Sequence, residues 1–173
     1  MVTVSVSVNP PLEPLVGWLR QFNIRSRNIR PVWPEIRGRF HGVARVQFAN
    51  EGVFPGGFLS KWAALKPSYK AWKDKHYPGK RILHLTGEMR LAFIGRSPYG
   101  SWADTNNSTT LSVTKTVPGR KLWNLAALHD TGTAKMAKRR PFMVDSTIMP
   151  KFVEPIVDYL VGEKPLGTSK PFP

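Results

Sequence analysis

Residues 61–95 read KWAALKPSYKAWKDKHYPGKRILHLTGEMRLAFIG, and the rest of the chain is organised around them. Trp62, Leu65, Tyr69, Trp72 and Tyr77 are interleaved there with Lys66, Lys70, Lys73, Lys75, Lys80 and Arg81, while the acids are Asp74 and Glu88. Pro67-Ser68 predicts a helix start, because a proline in the first turn gives up no intrahelical hydrogen bond. Tyr69, Trp72 and Lys73 then fall three and four apart, on one face. Pro78-Gly79 predicts the turn that closes this helix. Ile82, Leu83 and Leu85 lead into a second short helix. Its expected parts are Thr86 as cap, Glu88 in the electropositive first turn, Met89, Ala92 and Phe93 as the apolar face, and Gly95 as the end.

Upstream, Val2, Val4, Val6 and Val8 alternate with Thr3, Ser5 and Ser7, the period of a half-buried strand. An exposed alternating strand can add to the sheet edge of a neighbour, so these four valines are candidate oligomer contacts. After Pro10-Pro11, the spacing of Leu12, Leu15, Val16 and Leu19 predicts an amphipathic helix over 12–22. Residues 23–32 carry Arg25, Arg27 and Arg30 and read as a solvated loop. Pro34 can open a helix with Ile36, Phe40, Val43 and Gln47 on one face, although Gly38 and Gly42 each weaken it by up to about 1 kcal/mol relative to alanine. Phe54-Pro55-Gly56-Gly57 reads as a loop.

Downstream, residues 96–107 are turn-rich, and residues 109–117 alternate with Leu111, Val113 and Val117 on one face. Pro118-Gly119 fits the centre of a type II turn. Residues 122–128 can return either as an antiparallel strand or as a short helix. Residues 131–140 are small and basic and read as an exposed, mobile loop. Phe142 and Val144 suggest another strand. Met149, Phe152, Val153, Ile156, Val157 and Leu160 form a full helical stripe, with Pro155 expected to kink it and Gly162 to end it. The expected class is α+β: a single domain over 1–162 with a mainly antiparallel sheet packed with helices. Residues 1–60 supply an N-terminal strand and helices, 61–162 the core, and 163–173 a C-terminal arm.

The chain has 173 residues and a formal net charge of +15, from 26 Lys and Arg against 11 Asp and Glu. Such a field favours polyanions or acidic protein partners. With no cysteine, thiol chemistry and thiolate metal sites are excluded. Residues 1–11 lack the basic-then-apolar pattern of a signal peptide, and no apolar run reaches membrane-spanning length, so a soluble protein is expected. His41, His76, His84 and His129 are scattered, without an HExxH pair, and read as structural; no metal or cofactor is expected. No nucleophile motif, convergent carboxylate pair or glycine-rich phosphate loop occurs, and an enzyme is not expected. For the basic aromatic stretch, one reading is nucleic-acid binding, with cations on phosphates and aromatics on bases. The favoured one places Trp62, Leu65, Tyr69 and Trp72 in the core and the lysines on a solvated face. Lys135, Lys138, Arg139 and Arg140 likewise read as a solvated loop.

Three blocks in order carry a resemblance. The first is Trp62, Leu65, Tyr69 and Lys73, followed by Leu83, Thr86, Gly87, Met89 and Arg90. The second is residues 127–132, containing His129 and Gly132. The third is Arg140-Pro141-Phe142, matching a strand before the last helix. Together they resemble the phage virion morphogenesis (tail completion) family, itself similar to tailed-phage neck and tail-terminator proteins. The resemblance implies a structural virion protein at the head-tail junction: a tail terminator, or a neck (head-tail connector) component. It would be assembled in the host cytoplasm as a ring homo-oligomer, expected to be a hexamer. The implied partners are other copies of the chain, adjacent neck and tail-tube proteins, and genomic DNA in passing, with no membrane. The alternative is a basic nucleic-acid-binding protein.

Overall fold

Pro34 at the start of an apolar-periodic segment does what its fixed φ favours: helix α2 runs over Trp33–Ala49 and is the element on which the others lie. The computed structural model describes residues 12–57, 59–96, 100–113, 116–117, 120–134 and 136–162. In chain order these form α1 (Leu12–Ser26), a 3-10 turn (Arg30–Val32), α2, α3 (Pro67–His76), α4 (Glu88–Phe93), β1 (Gly100–Asp104), β2 (Thr109–Val113), β3 (Thr116–Val117), β4 (Arg120–Lys121), α5 (Leu122–Thr131) and α6 (Met149–Val161). The class is α+β, and among the described residues all strand pairing is antiparallel. β1 pairs with β2 from Gly100↔Val113 to Asp104↔Thr109, and β3 pairs with β4. The strand expected at Val2, Val4, Val6 and Val8, the Pro118-Gly119 turn and the 163–173 arm lie outside the described residues.

Three apolar clusters sit along α2. Val32, Trp33 and Ile36 pack with Phe152, Ile156 and Tyr159 of α6. Val43, Phe54 and Ile148 form the next cluster. Phe48, Trp62 and Met89 form the third, joined by Ile82, Leu83 and Phe93. The predicted face Ile36, Val43 and Gln47 is buried, and Phe40 is half-buried against Phe142, ring centroids 4.2 Å apart. Polar anchors fix the partners of α2. Arg39 donates to Glu35 (2.7 Å), to Glu154 (2.7 Å) and to the Lys151 carbonyl (2.8 Å), tying α2 to α6. The Trp33 indole donates to the Thr105 carbonyl at 2.8 Å, and Arg37 pairs with Asp104 at 3.2 Å, tying α2 to the β1–β2 hairpin.

Several local expectations give way to tertiary structure. Residues 23–32 are not a solvated loop: α1 continues to Ser26, and Val32 is fully buried in the first cluster. The turn-rich 96–107 stretch contains β1, whose Trp102 packs edge-on against Phe40. Residues 122–128 take the helical alternative, as part of α5. Arg140-Pro141-Phe142 is not a strand. Proline lacks the N–H a ladder needs, and the buried Gln47 amide instead donates to the Met143 carbonyl at 2.6 Å and accepts its N–H at 3.2 Å. The α4 cap is Gly87, at φ +84°, with Thr86 Oγ1 accepting the Glu88 N–H at 3.5 Å.

Candidate functional site

Helix α3 faces the interior the other way round from the sequence expectation. Lys73 is 3% exposed, whereas Tyr69 and Trp72 are 44% and 42% exposed. Its ammonium is tolerated inside because it donates to the Arg81 carbonyl, a partner supplied by the loop after the Pro78-Gly79 turn. Trp62 does take the core position expected of it, with its indole donating to the Arg140 carbonyl at 2.8 Å. Gly52 makes room for that ring: it holds φ +102°, and a Cβ there would stand 2.6 Å from Trp62 Cδ1.

Within residues 131–140, whose described members are otherwise exposed or partly so, Arg139 is the exception to the exposed-loop reading, being 4% exposed. Its guanidinium donates to the carbonyls of Ala63 (2.6 Å), Ala64 (2.7 Å) and Ala137 (3.4 Å), so it clamps the segment after Trp62 to the segment before Pro141. The Arg139 N–H also donates to the His129 carbonyl at 2.7 Å. Gly132, at φ +76°, turns the chain after α5 close beneath Lys138.

Between α3, α4, α5 and the Arg139 segment lies a cavity of ≈ 490 Å³. Its apolar wall includes Leu65, Leu83, Leu85, Met89 and Met136, and its polar lining includes Tyr69, Lys73, His84, His129 and Arg139. Among the described residues, no Asp or Glu lines it. His84 Nε2 and His129 Nδ1 are buried there without a hydrogen-bond partner among the described residues. A buried nitrogen left unpaired costs about 1 to 3 kcal/mol, so each is a debit that the fold retains. Burial, then the charges of Arg90, Lys73, Arg81 and Lys80, pushes His84 down to about 4; burial, then Arg139, pushes His129 down to about 4. Both imidazoles are therefore neutral at pH 7, each holding one N–H and one lone pair. Burial also pulls Lys73 and Arg139 below their ordinary ranges.

The cavity gathers residues from two of the sequence blocks: Leu65, Tyr69, Lys73, Leu83 and Met89 from the first and His129 from the second. Arg90 lies near enough to act on His84. Thr86, Gly87 and Gly132 shape the backbone around it, and Phe142 belongs to the packing about Phe40 and Ile148 instead. Pro141 is buried, and the Arg140 side chain points out to Asp130 at 3.6 Å. The sequence reading takes His84 only as a structural histidine and Arg139 only as part of a solvated loop, and it does not mention Met136; the available signal is His84 lodged in the apolar run Leu83-His84-Leu85. Among the described residues no group of three or more His, Asp or Glu could hold a metal ion, and no helix is long and apolar enough to cross a membrane. Compared with protein-family models, curated proteins and solved structures, the chain matches none.

Outside the cavity, the exposed side of α3 carries a ridge of rings. Trp72 stacks on Tyr69 (5.5 Å) and on His76 (5.0 Å), with Tyr77 tilted beside it at 5.8 Å. Lys66, Lys70 and Lys75 are exposed around this ridge.

Proposed function

We propose that this chain is a structural virion protein of a tailed phage, acting at the head-tail junction as a tail-completion, tail-terminator or neck component. In this reading it assembles in the host cytoplasm as a sixfold ring of identical subunits, contacts adjacent neck and tail-tube proteins, and lets the genome pass through a basic channel. It touches no membrane and catalyses nothing. The observation that carries the assembly part is the apolar surface of α1 and α6 that the described residues leave exposed. α1 exposes Leu15, Val16, Trp18, Leu19 and Ile24; α6 exposes Met149, Val153 and Val157. Apolar surface of this extent, on helices that contact one another, marks a protein-protein interaction site. A ring closes through heterologous contacts of this kind between neighbouring copies. The order of the three sequence blocks, through its resemblance to the virion morphogenesis family, supplies the particular assembly.

Negative-stain microscopy of a lysate from phage lacking this gene tests the reading. Filled heads beside separate tails of normal length are expected for the joining role, and overlong tails for the terminator role. Normal infectious particles would overturn both.

The ridge on α3 favours a second reading, a basic nucleic-acid-binding protein, since exposed stacked rings among lysines suit bases and phosphates. In that case log affinity for single-stranded DNA falls steeply and linearly with log salt, and Trp72→Ala weakens binding. A flat, weak salt series discards it.

A further inference from the structure

We propose that the cavity between α3, α4 and α5 is a binding site for a small organic anion, a molecule with an alkyl or aryl body and one carboxylate or comparable acidic group. The volume, ≈ 490 Å³, lies in the range that holds such ligands. Its walls supply the two things this class needs. Leu65, Leu83, Leu85, Met89 and Met136 provide an apolar bed. The buried cations Lys73 and Arg139 have their hydrogen bonds to backbone carbonyls, which carry no net charge, and among the described residues no carboxylate lines the cavity. Asp74 and Glu51 act on Lys73 only from outside that lining, so an anion entering here meets net positive charge in a place where water screens it poorly.

His84 Nε2 and His129 Nδ1 give the site direction. His84 and His129, from segments far apart in sequence, both line the cavity, and each keeps one buried ring nitrogen without a partner among the described residues. Other buried polar groups, such as the Gln47 amide and the Trp62 indole, have their partners. A ring rotation that turns either nitrogen to the cavity would let a ligand oxygen accept from its N–H, or a ligand hydroxyl donate to its lone pair. A cationic ligand would be repelled, and a neutral apolar one would fill the volume but leave the charges unbalanced.

Isothermal titration calorimetry on the full chain at pH 7, with octanoate, 1-octanol and octylammonium as probes, tests this. The expected result is one octanoate per chain, bound at least about ten-fold tighter than octanol, with no heat from octylammonium. Met136→Trp, which fills the cavity from its half-buried rim, should abolish binding while leaving the circular dichroism spectrum unchanged. His129→Phe, which keeps the volume apolar but removes one unpaired nitrogen, should bring octanoate down toward octanol. If Met136→Trp fails to fold, the His129→Phe comparison alone decides. Equal affinity for octanoate and octanol overturns the proposal. So does octanoate binding that survives in folded Met136→Trp, which would locate it on the open faces of α1 and α6, and so does absence of binding by all three probes at millimolar concentration.

Discussion

The molecule has two apolar surfaces that none of the described residues covers, and they differ in shape and in polar content. The cavity is concave, and two imidazoles and two buried cations line it. The α1 and α6 faces lie open, with Leu15, Val16, Leu19, Met149, Val153 and Val157 each between 45% and 52% exposed. A concave apolar site with a few placed polar groups selects a small ligand by orientation. An open apolar stripe has nothing to orient a small molecule, and it becomes buried only when another protein surface lies on it. One fold thus offers two kinds of recognition, and substitutions should separate them.

The largest effect is expected on the open face. Leu19→Glu combined with Val157→Glu places two charges where a neighbouring subunit would bury them unpaired, at a cost of several kcal/mol to association. Light scattering should report a collapse from oligomer to monomer. Because both positions are exposed in the single chain, its unfolding free energy should move by no more than about 0.5 kcal/mol. An unchanged oligomer mass would remove the α1 and α6 faces from the assembly. Neither substitution touches the cavity, so octanoate binding should persist.

Next in size is the clamp at the cavity wall. Arg139→Met leaves the carbonyls of Ala63, Ala64 and Ala137 without their donor and should cost about 2 to 4 kcal/mol in urea unfolding, as lost charge-assisted hydrogen bonds do. Lys138→Met, one residue away and exposed, should cost less than about 0.5 kcal/mol. Equal effects would mean that the buried guanidinium is not what joins the two segments.

Arg139 and Lys138 also show how far the sequence could be read. Both sit in one basic run, and nothing local distinguishes the buried one; the distinction is made by carbonyls some 75 residues away. Lys73 was hidden for the same reason. Spacing placed Tyr69, Trp72 and Lys73 on one face of α3 and the favoured reading turned the aromatics inward, whereas the Arg81 carbonyl receives a buried Lys73 and leaves Tyr69 and Trp72 exposed. Where local signals and packing agree, the reading survives: α2, with Pro34 and the Ile36, Val43 and Gln47 spacing, and α6, with Pro150 at its start and Gly162 at its αL cap. The α6 stripe was legible as a helix but not as an exposed one, because periodicity reports amphipathicity and not the presence of a cover. The cavity combines residues from separate blocks, so the blocks were visible while their convergence was not.

The smallest effect expected is in pH dependence, and it belongs to the cavity alone. In the folded chain His84 and His129 titrate at about 4, whereas an unfolded chain holds them at their ordinary value of about 6.5. Between those limits the unfolded state binds protons that the folded state refuses, so stability rises with pH across the window and is lost as pH falls from about 6.5 to about 4. Allowing for partial solvation of both rings, the loss should be on the order of 2 kcal/mol for the pair. Carboxylates add their own acid sensitivity at lower pH. Glu51 belongs to that set: burial works against its charge, but hydrogen bonds from Lys61 and the Ile82 N–H hold it below the usual carboxylate range. Urea midpoints at pH 7 and pH 4.8 separate the two contributions when the wild-type chain is compared with a His84→Phe, His129→Phe double variant. The variant should lose most of the wild-type slope and gain about 1 kcal/mol or more at pH 7 from removing unpaired nitrogens. A slope unchanged by the double substitution would assign the acid sensitivity to carboxylates and would mean that the imidazoles are solvated, which removes the polar half of the contrast between the cavity and the open faces.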